Sequence, residues 1–154
     1  MIRPFRSETE RYGEYSKAGE FVYDHPFQWG SKRTGPDLHR IGGKYSDSWH
    51  YNHLMDPQTM SPGSIMPTYP WLLSDKYNKN QLPDKINAMR TLGVPYPEGF
   101  EDEAIANADA QAAGIVKSLA DAKITAKGDK EIIALIAYLQ RMGTDIKMEA
   151  TAVK

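Results

Sequence analysis

The sharpest alternation of apolar and polar positions lies near the end of the chain. In "GDKEIIALIAYLQRMGT", Ile132, Leu135, Ile136, Leu139 and Met142 recur at the i, i+3, i+4, i+7 spacing of one helical face, and Gly143 stands where a C-terminal cap belongs. This predicts an amphipathic helix that packs against something. Upstream, "FEDEAIANADAQAAGIVKSLADAK" is Ala-rich, acidic in its first turns and carries Lys toward its end, the order that suits helix propensity and the helix dipole. "LPDKINAMRTLG" predicts a further helix, with Pro83 in its first turn, Ile86, Met89, Arg90 and Leu92 at helical spacing, and Gly93 closing it.

Farther toward the start, "SDSWHYNHLMDP" predicts a short helix with Ser46 or Asp47 as N-cap and Pro57 ending it. Trp49, His53 and the Leu54/Met55 pair are expected on one side. Residues 1 to 36 are broken so often by glycine and proline that only a turn or two of helix is expected, over Ser7 to Tyr15. No alternating strand pattern longer than about four residues occurs, and there is no internal repeat. The chain therefore reads as a mainly α protein with long connections, organised as a single domain over residues 1–154.

Composition narrows the function classes. The 19 Lys and Arg residues nearly cancel the 20 Asp and Glu residues, leaving no electrostatic footprint for nucleic acid. No window approaches the roughly 18 consecutive apolar residues of a membrane-spanning helix, and "MIRPFRSETE" lacks the apolar centre of a signal peptide. There is no cysteine, which excludes disulfides, thiolate metal sites and a C-x-x-C-H haem attachment within this polypeptide.

Candidate chemistry is sparse. His50 and His53 stand one helical turn apart, a spacing able to hold a metal, but no third ligand lies at a telling distance, and packed or solvent-facing histidines are the default. There is no G-x-S-x-G elbow. "RIGGKYS" lacks the spacing of a phosphate loop and reads as a turn, and Glu101, Asp102 and Glu103 read as a helix's first turn. Nothing marks a catalytic residue. One residue is oddly placed: in "SPGSIMPTYPW", Ser61 to Trp71, Met66 sits on a turn-rich loop running to about Leu73, either folded back as a plug or with its sulfur aimed at a partner.

The order "TGPDL", the helix around Trp49, "IMPTYPW" and a terminal "EIIALIAYLQRMGT" helix resembles the class I c-type cytochromes. "MIRPFRSETERYGEYSKAGEFVYDHPFQWGSKRTGPDL", "GGKYSDSWHYNHLMDP", "RTLGVPYP" and "LIAYLQRMGTDIK" are similar, more narrowly, to the mono-haem subunit II (FixO/CcoO) of cbb3-type cytochrome c oxidases. The resemblance implies a cytochrome c-like helical domain with an aromatic-rich segment at 1–33, a haem-wall and Met-ligand region at 34–73 and a helical part at 80–143. It implies that Met66 is the distal ligand of a haem c iron and that Gly35 and Pro36 form the turn whose carbonyl orients the proximal His. Trp29, Tyr45, Trp49, Tyr69 and Trp71 become candidates to wall the haem, and Lys32 and Arg33 either meet propionates or form a solvated charge pair.

By the same resemblance the partners are the catalytic haem-copper subunit and a di-haem cytochrome subunit, on the periplasmic face of the bacterial inner membrane. The family's membrane helix and C-x-x-C-H are absent from this sequence, so Met1 is expected to be an internal start of a longer subunit, and the chain itself to carry no covalent haem. His25 lies downstream of the proximal position and is no substitute. The leading function is thus electron transfer within an oxidase. A haem-free interaction module of the assembly is the alternative, and a small metalloprotein or hydrolase built on His50 and His53 ranks last.

Overall fold

Helices supply the regular structure of residues 5–12, 14–24, 26–28 and 37–144, which are those the computed structural model describes. They are α1 (Arg6–Tyr12), α2 (Asp47–Met55), α3 (Pro57–Met60), α4 (Trp71–Ser74), α5 (Leu82–Thr91), α6 (Phe100–Asp121) and α7 (Glu131–Arg141). Among the described residues the pairing of extended backbone amounts to an isolated antiparallel bridge between Lys76 and Lys130. The mainly α expectation therefore holds. No helix of the described residues is long and apolar enough to cross a membrane.

The chain divides into two compact units, Ser46–Tyr138 and the discontinuous pair Met1–Tyr45 with Leu139–Lys154. In Ser46–Tyr138, the Ser46 hydroxyl caps α2 by accepting from the Trp49 amide at 3.2 Å. Pro57 does more than end that helix. It is the first residue of α3, where its missing N–H costs nothing, and Asp56 caps α3 by accepting from the Gln58 amide at 3.1 Å. Gly93 and Gly99 take positive φ, +93° and +80°, at the exit of α5 and the entrance of α6, where a Cβ would be strained.

The core of this unit is Leu54 of α2, Ile115 and Leu119 of α6, and Ile132, Ile133 and Ile136 of α7. Burial of each of these side chains contributes about 1.5–3 kcal/mol. Ile132 and Ile136 belong to the expected stripe, whereas Ile133 lies beside it. It is buried because α7 presents to the core an arc wider than a single i, i+3, i+4 line.

α5 and α2 form where the spacing implies, but the strip each buries is narrower than its periodic positions. On α5 only Ile86 is buried, while Leu92 is 75 % exposed and Met89 is exposed as well. Arg90 of the same stripe forms a polar tether, its guanidinium donating to Glu101 and to the Pro97 carbonyl at 2.8 Å. On α2 the buried pair is His50 and Leu54, at i and i+4, and Met55 is 43 % exposed, because neighbouring helical residues point about 100° apart. Spacing locates a helix but leaves open which strip meets the core.

In the discontinuous unit, Asp37 is buried beside the 3-10 turn Leu38–Arg40. Its carboxylate accepts from the Ser16 amide at 3.0 Å, the Ser16 hydroxyl at 2.6 Å and the His39 amide at 3.0 Å. His39 Nε2 meets Asp24 Oδ2 at 2.8 Å, and its ring packs at 4.0 Å between centroids on Phe21. The segment 42–45 is then sewn to the end of α7: Gly42 N donates to the Met142 carbonyl at 2.9 Å, Gly43 N to Gln140 Oε1 at 3.0 Å, and Gln140 Nε2 to the Tyr45 carbonyl at 2.9 Å.

Candidate functional site

Residues 61–70 contain Pro62, Gly63, Pro67 and Pro70 and form no helix. They are nevertheless held. Ser61 N donates to the Pro57 carbonyl at 2.9 Å and Ser64 N to the Ser61 carbonyl at 3.0 Å, with Gly63 at φ +81° making the turn between them. Met66 N then donates to Ser64 Oγ at 3.2 Å. Because Pro67 follows, Met66 is confined to extended backbone.

The far end of the segment is anchored as firmly. The expected loop to Leu73 stops at Pro70, and Trp71–Ser74 turn into α4, with Leu73 N donating to the Pro70 carbonyl at 3.1 Å. Beyond α4, Tyr77 N donates to the Asp129 carbonyl at 2.9 Å and Glu131 N to the Asp75 carbonyl at 3.2 Å. The Lys76 ammonium lies 3.0 Å from Asp129 and its hydrogen bond holds that carboxyl below the usual Asp range. Lys130 Nζ donates to the Ser74 carbonyl.

Between these anchors the Met66 side chain is half-buried and packs against the core cluster, together with Tyr51, Tyr69, Leu72 and Leu73. Tyr69 meets Trp71 edge-on at 5.4 Å. Outside this cluster, Ile65 is 94 % exposed and Trp71 51 % exposed.

The residues expected around Met66 are thus partly gathered: Tyr69 shares its packing and Trp71 is joined through Tyr69. Trp49, half-buried on α2, stacks on His53 at 4.6 Å and meets His50 edge-on at 5.4 Å. Tyr45 belongs to the other unit, where its carbonyl is held by Gln140. Trp29, Lys32, Arg33, Gly35 and Pro36 lie outside the described residues. Sequence reasoning missed Tyr51, whose signal is its place one turn before the buried Leu54. It also missed Ser64, two residues ahead of Met66, the spacing at which a hydroxyl reaches a following amide.

His50 is 3 % exposed, and burial pushes its pKa down, assisted by nearby His53 and opposed by Asp47. Burial also lowers His53. Among the described residues no group of three His, Cys, Asp or Glu side chains is placed to hold a metal, so the pair lacks the third ligand that its spacing would need. A cavity of about 250 Å³ lies elsewhere, lined by Val116, Ala120, Lys123, Ile124, Thr125 and Ala126 and by none of the aromatic residues named above.

Compared with known protein families, residues 1–146 match the family described as cytochrome c oxidase, mono-heme subunit/FixO. No curated protein matches the chain.

Proposed function

The chain belongs to the FixO family of mono-haem cytochrome c oxidase subunits, and from that membership we propose that it is the electron-transfer domain of subunit II in a cbb3-type oxidase. In this reading it is a single cytochrome c-like domain on the periplasmic face, taking electrons from a di-haem cytochrome subunit and passing them toward the catalytic haem-copper subunit. It contributes no catalytic residue to oxygen chemistry.

The observation that carries the proposal is Met66. Its side chain is half-buried against the core on a segment held by hydrogen bonds and prolines, with the exposed Ile65 next to it in sequence. That donor chemistry fits the distal side of a haem, since a soft thioether is the ligand that c-type haems use opposite histidine. A His/Met-ligated haem c supplies reversible ferric/ferrous chemistry at a raised potential. Met66 would coordinate, while Tyr69 and Trp71 would exclude water from the redox centre. Gly35 and Pro36 would orient the proximal ligand. With no cysteine, the polypeptide as written forms no thioether bond to haem.

The test is to add ferric haem and imidazole to the full chain, the imidazole standing in for a proximal histidine. The expected complex is low-spin with the far-red sulfur-to-iron band, which Met66→Leu abolishes. An unchanged spectrum in Met66→Leu would remove Met66 as a ligand, and a c-type band in an alkaline pyridine assay would contradict the absence of covalent haem. The absence of cysteine favours a second reading, a haem-free module that docks within the oxidase; co-purification with the catalytic subunit in the absence of haem would support it.

A further inference from the structure

We propose that Ser64 is a positioning residue for Met66, its hydroxyl fixing the backbone from which the thioether is presented. The inference rests on the reading of Met66 as an axial ligand and adds the device that aims it. Met has rotatable bonds throughout its side chain and no branch, so the side chain cannot aim itself. Its direction must be set by the backbone and by packing.

The backbone is set from both sides. On the C-terminal side Pro67 removes the helical region from Met66. On the N-terminal side the Met66 amide has Ser64 Oγ as its acceptor, 3.2 Å away in a part-buried position. Ser64 is itself held, its amide on the Ser61 carbonyl at 3.0 Å and its carbonyl accepting from Gln58 Nε2 at 3.4 Å. Ser61 N in turn reaches Pro57, the buried first residue of α3. A line of hydrogen bonds therefore runs from a buried proline to the ligand's own amide, and the Ser64 hydroxyl is its last link. Alanine at 64 would keep the backbone links and delete only that one. Threonine would keep the hydroxyl.

Amide hydrogen exchange and the methyl resonance of Met66, followed by NMR on the full chain, test this directly. Ser64→Ala is expected to speed exchange at the Met66 amide about five-fold and to narrow the Met66 methyl signal, with denaturant stability measured alongside to subtract global opening. Ser64→Thr is expected to restore both values. Unaltered Met66 exchange in Ser64→Ala, or exchange in Ser64→Thr as fast as in Ser64→Ala, would overturn the positioning role. With ferric haem and imidazole added, the far-red band is expected to weaken several-fold in Ser64→Ala. A band that persists in Met66→Leu would instead overturn the proposal at its premise, and the exchange data distinguish that failure from the first.

Discussion

Gly143 lies against the carbonyl of His39 so closely that a side chain of any size at 143 would overlap it. The glycine also sits at φ +71°, in the left-handed region, as it leaves α7. Backbone strain and a backbone collision therefore act at one position, and the collision partner is a carbonyl, which cannot swing aside as a flexible side chain would. Gly143→Ala is expected to destabilise the fold by about 2–4 kcal/mol, well above the usual cost of alanine at a left-handed site. Chemical denaturation of the two proteins checks it, and a loss below about 1 kcal/mol would show that the His39 turn can retreat.

Asp37 offers a second target. Removing its buried carboxylate in Asp37→Ala leaves the Ser16 amide and hydroxyl without their acceptor. The expected loss is about 2–4 kcal/mol, with Asp37→Asn losing less because its amide oxygen can still accept. Denaturation midpoints of the two variants give the comparison.

Leu119 is fully buried among Ile115, Ile132, Ile133 and Ile136. Leu119→Ala is expected to cost about 3–5 kcal/mol, at the upper end for such truncations because its neighbours are helical side chains with little room to collapse. A thermal melt within a few degrees of the parent would contradict the tight core.

The lowered pKa of His50 has a definite sign. The unfolded chain binds a proton at this position more readily than the folded one, so stability is full above the ordinary histidine value of 6.5 and falls as pH drops below it. His53 adds in the same direction. Stability measured from pH 8 to 5 should decline toward acid, and His50→Gln should flatten that slope. An equal slope in the variant would place the effect elsewhere.

Glu101 acts in a lower range. Its hydrogen bond from Arg90 brings its carboxyl from 4.5 to about 2, so its contribution is present above pH 4.5 and is lost as pH falls toward 2. Glu101→Gln should be less stable than the parent near neutrality, and the gap should close as the parent is acidified through that window. A constant gap would mean that the Arg90 contact acts through packing alone.

The helices were legible where caps and periodicity agree: Ser46 opening α2, Gly93 after α5 and the Ile132–Ile136 face of α7 all appear as the sequence implies. Local signals of this kind lie within a few residues of the feature they specify. The buried strip of α5 was not legible, because the Arg90–Glu101 tether depends on where α6 begins. The one-turn helices α3 and α4 were missed because each is started by a proline that the sequence offers equally as a terminator. At the candidate site, Met66 stood out because a thioether among prolines is unusual. Tyr51 did not, since an aromatic residue on a helix is ordinary until its neighbours are known.

The division of the chain has a consequence for biosynthesis. Ser46–Tyr138 is continuous and holds the whole Leu54–Ile136 cluster, so it can close once its last residues have left the ribosome. The partners of Gly42 and His39 are made only after that unit, and until Met142 and Gly143 emerge the segment before residue 46 has no α7 end to join. The segment before residue 46 is therefore completed only after the continuous unit that follows it has been made. Until then its own Ser16–Asp37 and Phe21–His39 contacts stand without the end of α7, an interval in which a chaperone or an assembly factor would find its substrate.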